Sequence, residues 1–142
     1  MPALRSVDFP RRSRVDYALA RRAVLADLFA GRVSPTEVCD AHPYLLRAAR
    51  YYGEVTSIPC PVCRRECVHH VAYTYGDDLG AASGRARNGA ELAALAREYS
   101  DVSVYVVEVC RSCGWNHLVT SYVIGSGAPR KRRSSRGRAA QE

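Results

Sequence analysis

The sequence predicts an α+β fold, with N-terminal helices packed on a small antiparallel sheet and one further helix inserted between its strands. Apolar residues recur at helical spacing as far as Gly53, whereas four later runs are rich in β-branched and aromatic residues. Two Cys-x-x-Cys turns each fall where one of those runs gives way to the next. The chain has 142 residues, 47% of them apolar and 25% charged, which suits one domain able to bury a core without staples.

Residues 1–13 read as a flexible basic segment, and the globular part is placed at 14–124, with helices in 15–52 and the sheet in 54–124. The spacing predicts a helix over 15–30, with Tyr17, Val24, Leu25, Leu28 and Phe29 on one broad face and Gly31 at its stop. Arg21 intrudes on that face, so its stem is expected along the core with the guanidinium reaching water. Ser34-Pro35-Thr36-Glu37 supplies an N-cap, a proline at the first helical position and a glutamate able to close a capping box. Pro43 breaks or restarts that short helix, and residues 44–50 read as helical up to Gly53.

Strands are predicted over 55–58, 68–75, 102–109 and 118–124. Between the second and third lie a glycine-rich loop over 76–89 and a helix over 90–99, with Asn88 as cap and Glu91 three residues later. Residues 125–142 carry Ser, Gly, Pro and Arg without apolar periodicity and read as a disordered basic tail.

The net charge of +7 is unevenly spread. Residues 1–22 contribute +4 and residues 125–142 contribute +5, which leaves the middle at −2. The basic footprint therefore lies in the flanks, and thiolates on a divalent metal would make the centre more negative still. No run approaches the ~18 apolar residues of a membrane-spanning helix, and Arg21, Arg22 and Asp27 interrupt the only stretch resembling a signal core. A cytoplasmic location is expected, where thiols stay reduced and six cysteines point to metal or redox chemistry before disulfides.

Cys60-Pro61-Val62-Cys63 and Cys110-Arg111-Ser112-Cys113 are the centre of the functional reading. A tight turn brings sulfurs three positions apart within reach of one ion, and two such turns at neighbouring hairpin tips complete a tetrahedron. This is the arrangement of a zinc ribbon, and Cys60, Cys63, Cys110 and Cys113 are predicted to hold one structural zinc ion. The 46 intervening residues exceed the usual ribbon spacing and are read as an insertion. Iron suits the same four thiolates but is the less favoured ion. Cys67 and His69, on one face of a strand, are alternative ligands or redox groups, while His70 points to the other face. His70 and His117 read as surface or satisfied imidazoles, Cys39 as a packing residue, and Trp115 as packing beside the metal turn.

Pro59-Cys60-Pro61-Val62-Cys63 contains half of the signature of zinc-dependent nucleobase deaminases. The other half is missing: Cys39-Asp40-Ala41 has alanine where the catalytic glutamate belongs, and His42 is followed by Pro43-Tyr44. A four-cysteine site also leaves no position for a reactive water, so no enzyme is expected.

Val15-Asp16-Tyr17-Ala18-Leu19, the run Glu37-Val38-Cys39-Asp40-Ala41-His42-Pro43-Tyr44-Leu45-Leu46-Arg47-Ala48-Ala49, Cys60-Pro61-Val62-Cys63-Arg64 and Val107-Glu108-Val109-Cys110-Arg111-Ser112-Cys113-Gly114-Trp115-Asn116-His117-Leu118-Val119 together carry a resemblance. Over residues 14–125 the chain resembles a small actinobacterial family of uncharacterised, zinc-ribbon-like proteins known only as a domain of unknown function. The resemblance implies a cytoplasmic actinobacterial protein and brings no activity with it.

The function expected from these residues is a non-catalytic zinc-binding module that contacts protein or nucleic acid, with transcription or translation machinery as the candidate partner. Arg130, Lys131, Arg132, Arg133, Arg136 and Arg138 are its candidate phosphate or partner contacts. Neither a membrane nor a small-molecule substrate is expected. The alternative is a zinc-linked thiol switch, in which oxidation of Cys67 with Cys60 or Cys63 ejects the metal, helped by Arg64 and Arg65 beside it.

Overall fold

A computed structural model describes residues 9–127. The elements run β1 (Arg12–Asp16), α1 (Ala18–Phe29), α2 (Pro35–Val38), α3 (Pro43–Tyr52), β2 (Glu54–Pro59), β3 (Cys67–Tyr75), a 3-10 segment (Asp77–Ala82), β4 (Arg85–Arg87), α4 (Gly89–Glu98), β5 (Val102–Val109) and β6 (Asn116–Ile124). The architecture is α+β, built on one six-stranded antiparallel sheet in the order β1-β6-β5-β3-β2, with β4 also paired to β3.

The long β-branched runs form the middle of the sheet. On β3 and β5 the register runs from His69 opposite Val109 to Tyr75 opposite Ser103, so alternate residues divide cleanly between two faces. Val102, Val104, Tyr122 and Ile124 pack with Leu92 and Leu95 of α4 on one face. On the other, Val71 and Val109 are covered by Ala48 and Ala49 of α3. A third cluster gathers Val68, Trp115, Cys60 and Cys110 under Leu25 of α1.

Three features depart from the sequence reading. The globular part begins before residue 14: Phe9 is buried, and β1 adds an edge strand to β6. Arg12 anchors it, donating to the carbonyls of Gly125 (2.8 Å) and Ser100 (2.9 Å) and pairing with Asp101. The first helix consequently starts at Ala18 rather than Val15, and Phe29, expected on its core face, is 68% exposed. Within the expected loop over 76–89, Leu79 is buried by the 3-10 segment and Arg85–Arg87 pair with Ala72–Thr74 as β4. The sheet thus has six strands where four were expected, because β1 and β4 follow from partners distant in sequence or from a loop's return path, not from local patterning.

The predicted caps are in place. Ser34 and Glu37 close a capping box on α2, and Asn88 and Glu91 close another on α4. His42 accepts a hydrogen bond from the Tyr44 amide at the head of α3, where Pro43 restarts the chain. Among the described residues, no helix is long and apolar enough to cross a membrane.

Candidate metal centre

The β2–β3 and β5–β6 connections meet at one end of the sheet, and each is folded by the same set of bonds. In the first, the Arg64 amide donates to the Cys60 carbonyl (3.1 Å), the Cys63 amide to Cys60 Sγ (3.5 Å) and the Arg65 amide to Cys63 Sγ (3.4 Å). In the second, the Gly114 amide donates to the Cys110 carbonyl (2.9 Å), the Cys113 amide to Cys110 Sγ (3.5 Å) and the Trp115 amide to Cys113 Sγ (3.4 Å). The residue after the second cysteine is left-handed in both turns, Arg64 at φ 59° and Gly114 at φ 91°. Such a bend is costly for a residue with a side chain, so Arg64 marks a conformation imposed by the turn around it.

The two turns bring four sulfurs together. Cys60, Cys63, Cys110 and Cys113 place their Sγ atoms within 4.8 Å of one another. Cys60 Sγ lies 3.7 Å from Cys113 Sγ, and Cys63 Sγ lies 3.6 Å from Cys110 Sγ. A regular tetrahedron of sulfurs about 2.3 Å from a central ion has edges of about 3.8 Å, so the set fits a four-thiolate metal site. Arg65 ties the two turns from outside, its guanidinium donating to Ser112 Oγ at 3.0 and 3.2 Å.

The thiols do not share one electrostatic environment. Burial raises the Cys63 thiol pKa, but the Arg65 amide and the neighbouring sulfurs outweigh it and bring the value down to about 7. Cys110 and Cys113 shift upward, chiefly through burial and then through the sulfurs crowded beside them. Four bare thiolates at this spacing repel one another, and a bound cation would allow all four to ionise together.

Support around the sulfurs comes from Trp115 and Glu108. Trp115 is fully buried beside the turns, as expected, and its indole N–H donates to Glu108, which also accepts from Arg21 Nε at 2.9 Å. Arg21 therefore runs inward to a buried carboxylate, where its guanidinium was expected to reach water.

Cys39 is the feature that sequence reasoning missed. It does pack against the sulfur cluster, as a packing residue should, but its thiol also points at Cys113 Sγ from 3.5 Å. The α2–α3 connection is seated on the second turn: the Ala41 amide donates to the Gly114 carbonyl (3.0 Å), and a Cβ on Gly114 would sit 3.0 Å from the Cys39 carbonyl. The separation of 74 positions between Cys39 and Cys113 leaves no local pattern that could have announced this contact.

Cys67 and His69 lie at the start of β3, outside the group of four sulfurs. His69 Nδ1 and His70 Nε2 are buried without a hydrogen-bond partner. Both pKa values are lowered, first by burial and then by Arg111 near His69 and Arg21 near His70, with Glu66 and Glu108 respectively opposing. His117 is satisfied by the Leu118 carbonyl (2.8 Å) and stacks on Trp115. Arg130, Lys131, Arg132, Arg133, Arg136 and Arg138 lie outside the described residues.

The profile of the "Family of unknown function (DUF5318)" matches residues 9–138, extending beyond the 14–125 over which the resemblance was drawn. Uncharacterized protein Rv0049 of Mycobacterium tuberculosis strain H37Rv is 51% identical over 115 residues, covering 81% of this chain and 84% of that protein. Uncharacterized protein Mb0050 of Mycobacterium bovis matches with the same identity and coverage. No solved structure matches the chain. Matched over most of its length, and by mycobacterial relatives at that identity, the chain belongs to the DUF5318 family of unknown function.

Proposed function

We propose that this protein is a non-catalytic binding module of the cytoplasm, stapled by one structural zinc ion on Cys60, Cys63, Cys110 and Cys113, that docks on a macromolecular partner. The observation carrying this reading is the doubled turn, which presents four sulfurs at tetrahedral spacing. Zinc supplies on the order of 10 kcal/mol to folding at such sites and holds hairpin tips rigid for recognition. Four protein ligands close the coordination sphere, which supports a structural role over a hydrolytic one. Elemental mass spectrometry on untagged protein purified without chelator is expected to find one zinc per chain. Stoichiometric iron would instead indicate an electron-transfer site, and metal-free protein with reduced thiols would overturn the proposal.

The contact between Cys39 and Cys113 favours a second reading, the zinc-linked thiol switch, with Cys39 as well as Cys67 available. Hydrogen peroxide would take two electrons from two thiols, forming one disulfide and two waters, and the lost thiolate ligand would release the metal. Peptide mapping after mild peroxide treatment should then find Cys39 or Cys67 in a disulfide together with free zinc. Retained zinc and unmodified Cys39 and Cys67 would rule the switch out.

A further inference from the structure

Among the described residues, the sheet face carrying α3 is only half covered. Toward the metal end Val71 and Val109 are buried beneath that helix, but beyond it the same face continues with Tyr73, Tyr75, Ser103, Tyr105 and Val107. Tyr73 and Tyr105 are cross-strand partners, and Tyr75 meets Tyr105 edge-to-face with ring centroids 5.6 Å apart. Tyr75 is 44% and Tyr105 37% exposed, although both stand on the two central strands of the sheet.

Tyr73 also borders a second concavity, shared with Tyr44, Tyr51 and Tyr52 of α3 and with Arg47 and Arg85. Arg47 lies over the Tyr44 ring and Arg50 over the Tyr51 ring, at 5.7 and 5.4 Å from the centroids. Among the described residues, no carboxylate lines either hollow. Exposed rings in one hollow, with guanidinium groups set among further rings in the adjoining one, match a polyanion with flat, apolar bases rather than an acidic or purely apolar protein surface.

We infer that this face is a docking surface for single-stranded RNA, whose bases stack on Tyr73, Tyr75 and Tyr105 while Arg47 and Arg85 hold its phosphates. The inference rests on the reading of the protein as a binding module and names its partner. Duplex is excluded because paired bases do not expose their planes to a sheet. RNA is specified over DNA because the rings carry hydroxyl groups and Ser103 lies among them, offering hydrogen bonds to the ribose 2′-hydroxyl.

Fluorescence anisotropy of a labelled oligouridylate of roughly 12 nucleotides, titrated with the full zinc-loaded chain at about 0.15 M salt, tests it. Tyr75→Ala with Tyr105→Ala is expected to weaken binding about tenfold or more, whereas Phe at both positions retains the stacking planes and loses only preference for RNA over DNA. The alanine effect should persist after deletion of residues 128–142, which separates stacking from attraction by the basic tail. Unchanged affinity in the alanine variant, or equal affinity for duplex RNA, overturns the inference, and equal affinity for the matching deoxyoligomer overturns its assignment to RNA. Zinc content and circular dichroism on the same samples keep the two readings apart. With one zinc per chain and a native spectrum, insensitivity to the tyrosines removes only this surface, whereas absent zinc strikes the stapled module itself.

Discussion

Glu108 joins the helical and sheet parts of the molecule through a single carboxylate, 3% exposed and shared between Arg21 and the Trp115 indole. Glu108→Ala leaves a buried indole N–H and a half-buried guanidinium without their acceptor and should cost about 3 kcal/mol in urea unfolding, with Glu108→Gln costing less. Cys110→Ser removes one of the four proposed ligands at a fully buried position. It should lower zinc content well below one per chain and unfolding free energy by about 4 kcal/mol, read by elemental analysis and denaturant titration. At His69 and His70, folding lowers the imidazole pKa, so below about pH 6.5 the unfolded chain takes up protons that the native state refuses. Stability should therefore fall from pH 7 toward pH 5, and His70→Gln should lessen the fall, measured by unfolding at each pH on the two proteins side by side.

At the scale of elements, local chemistry was legible wherever it was self-contained. The capping residues Ser34, Glu37, Asn88 and Glu91 marked two helix starts, and the β-branched run over 102–109 coincides with β5. β1 was not legible, because nothing in Arg12–Asp16 alternates like a half-buried strand and its anchors lie 88 and 113 residues away. Deleting residues 1–13 should accordingly destabilise the domain, through loss of Phe9 from the core and of the Arg12 anchor. A drop in melting temperature of several degrees by differential scanning calorimetry is the expected outcome, whereas a dispensable flexible segment would leave it unchanged.

For the whole molecule, the metal end and the tail make opposite predictions. If the proposed zinc is bound, a strong chelator should lower the melting temperature sharply and reversibly, with recovery on adding zinc, because such an ion would link two connections separated by 46 residues. Deleting residues 128–142 should leave both metal content and melting temperature where they were, as checked by the same elemental and calorimetric measurements.

The sequence alone determined the α+β class, the main helices and strands and the four cysteines that converge, since each of these depends on residues a few positions apart: caps, period-two alternation and the Cys-x-x-Cys turn. It did not determine that Cys39 touches Cys113, that Arg21 turns inward to Glu108, or that β1 and β4 extend the sheet. The tyrosine face belongs with these, because α3 covers only part of it and no pattern along the chain states how far a helix will reach. Only the tertiary structure decides such matters, because contacts between residues distant in the chain follow from how the elements pack and leave no periodic trace in the sequence between them.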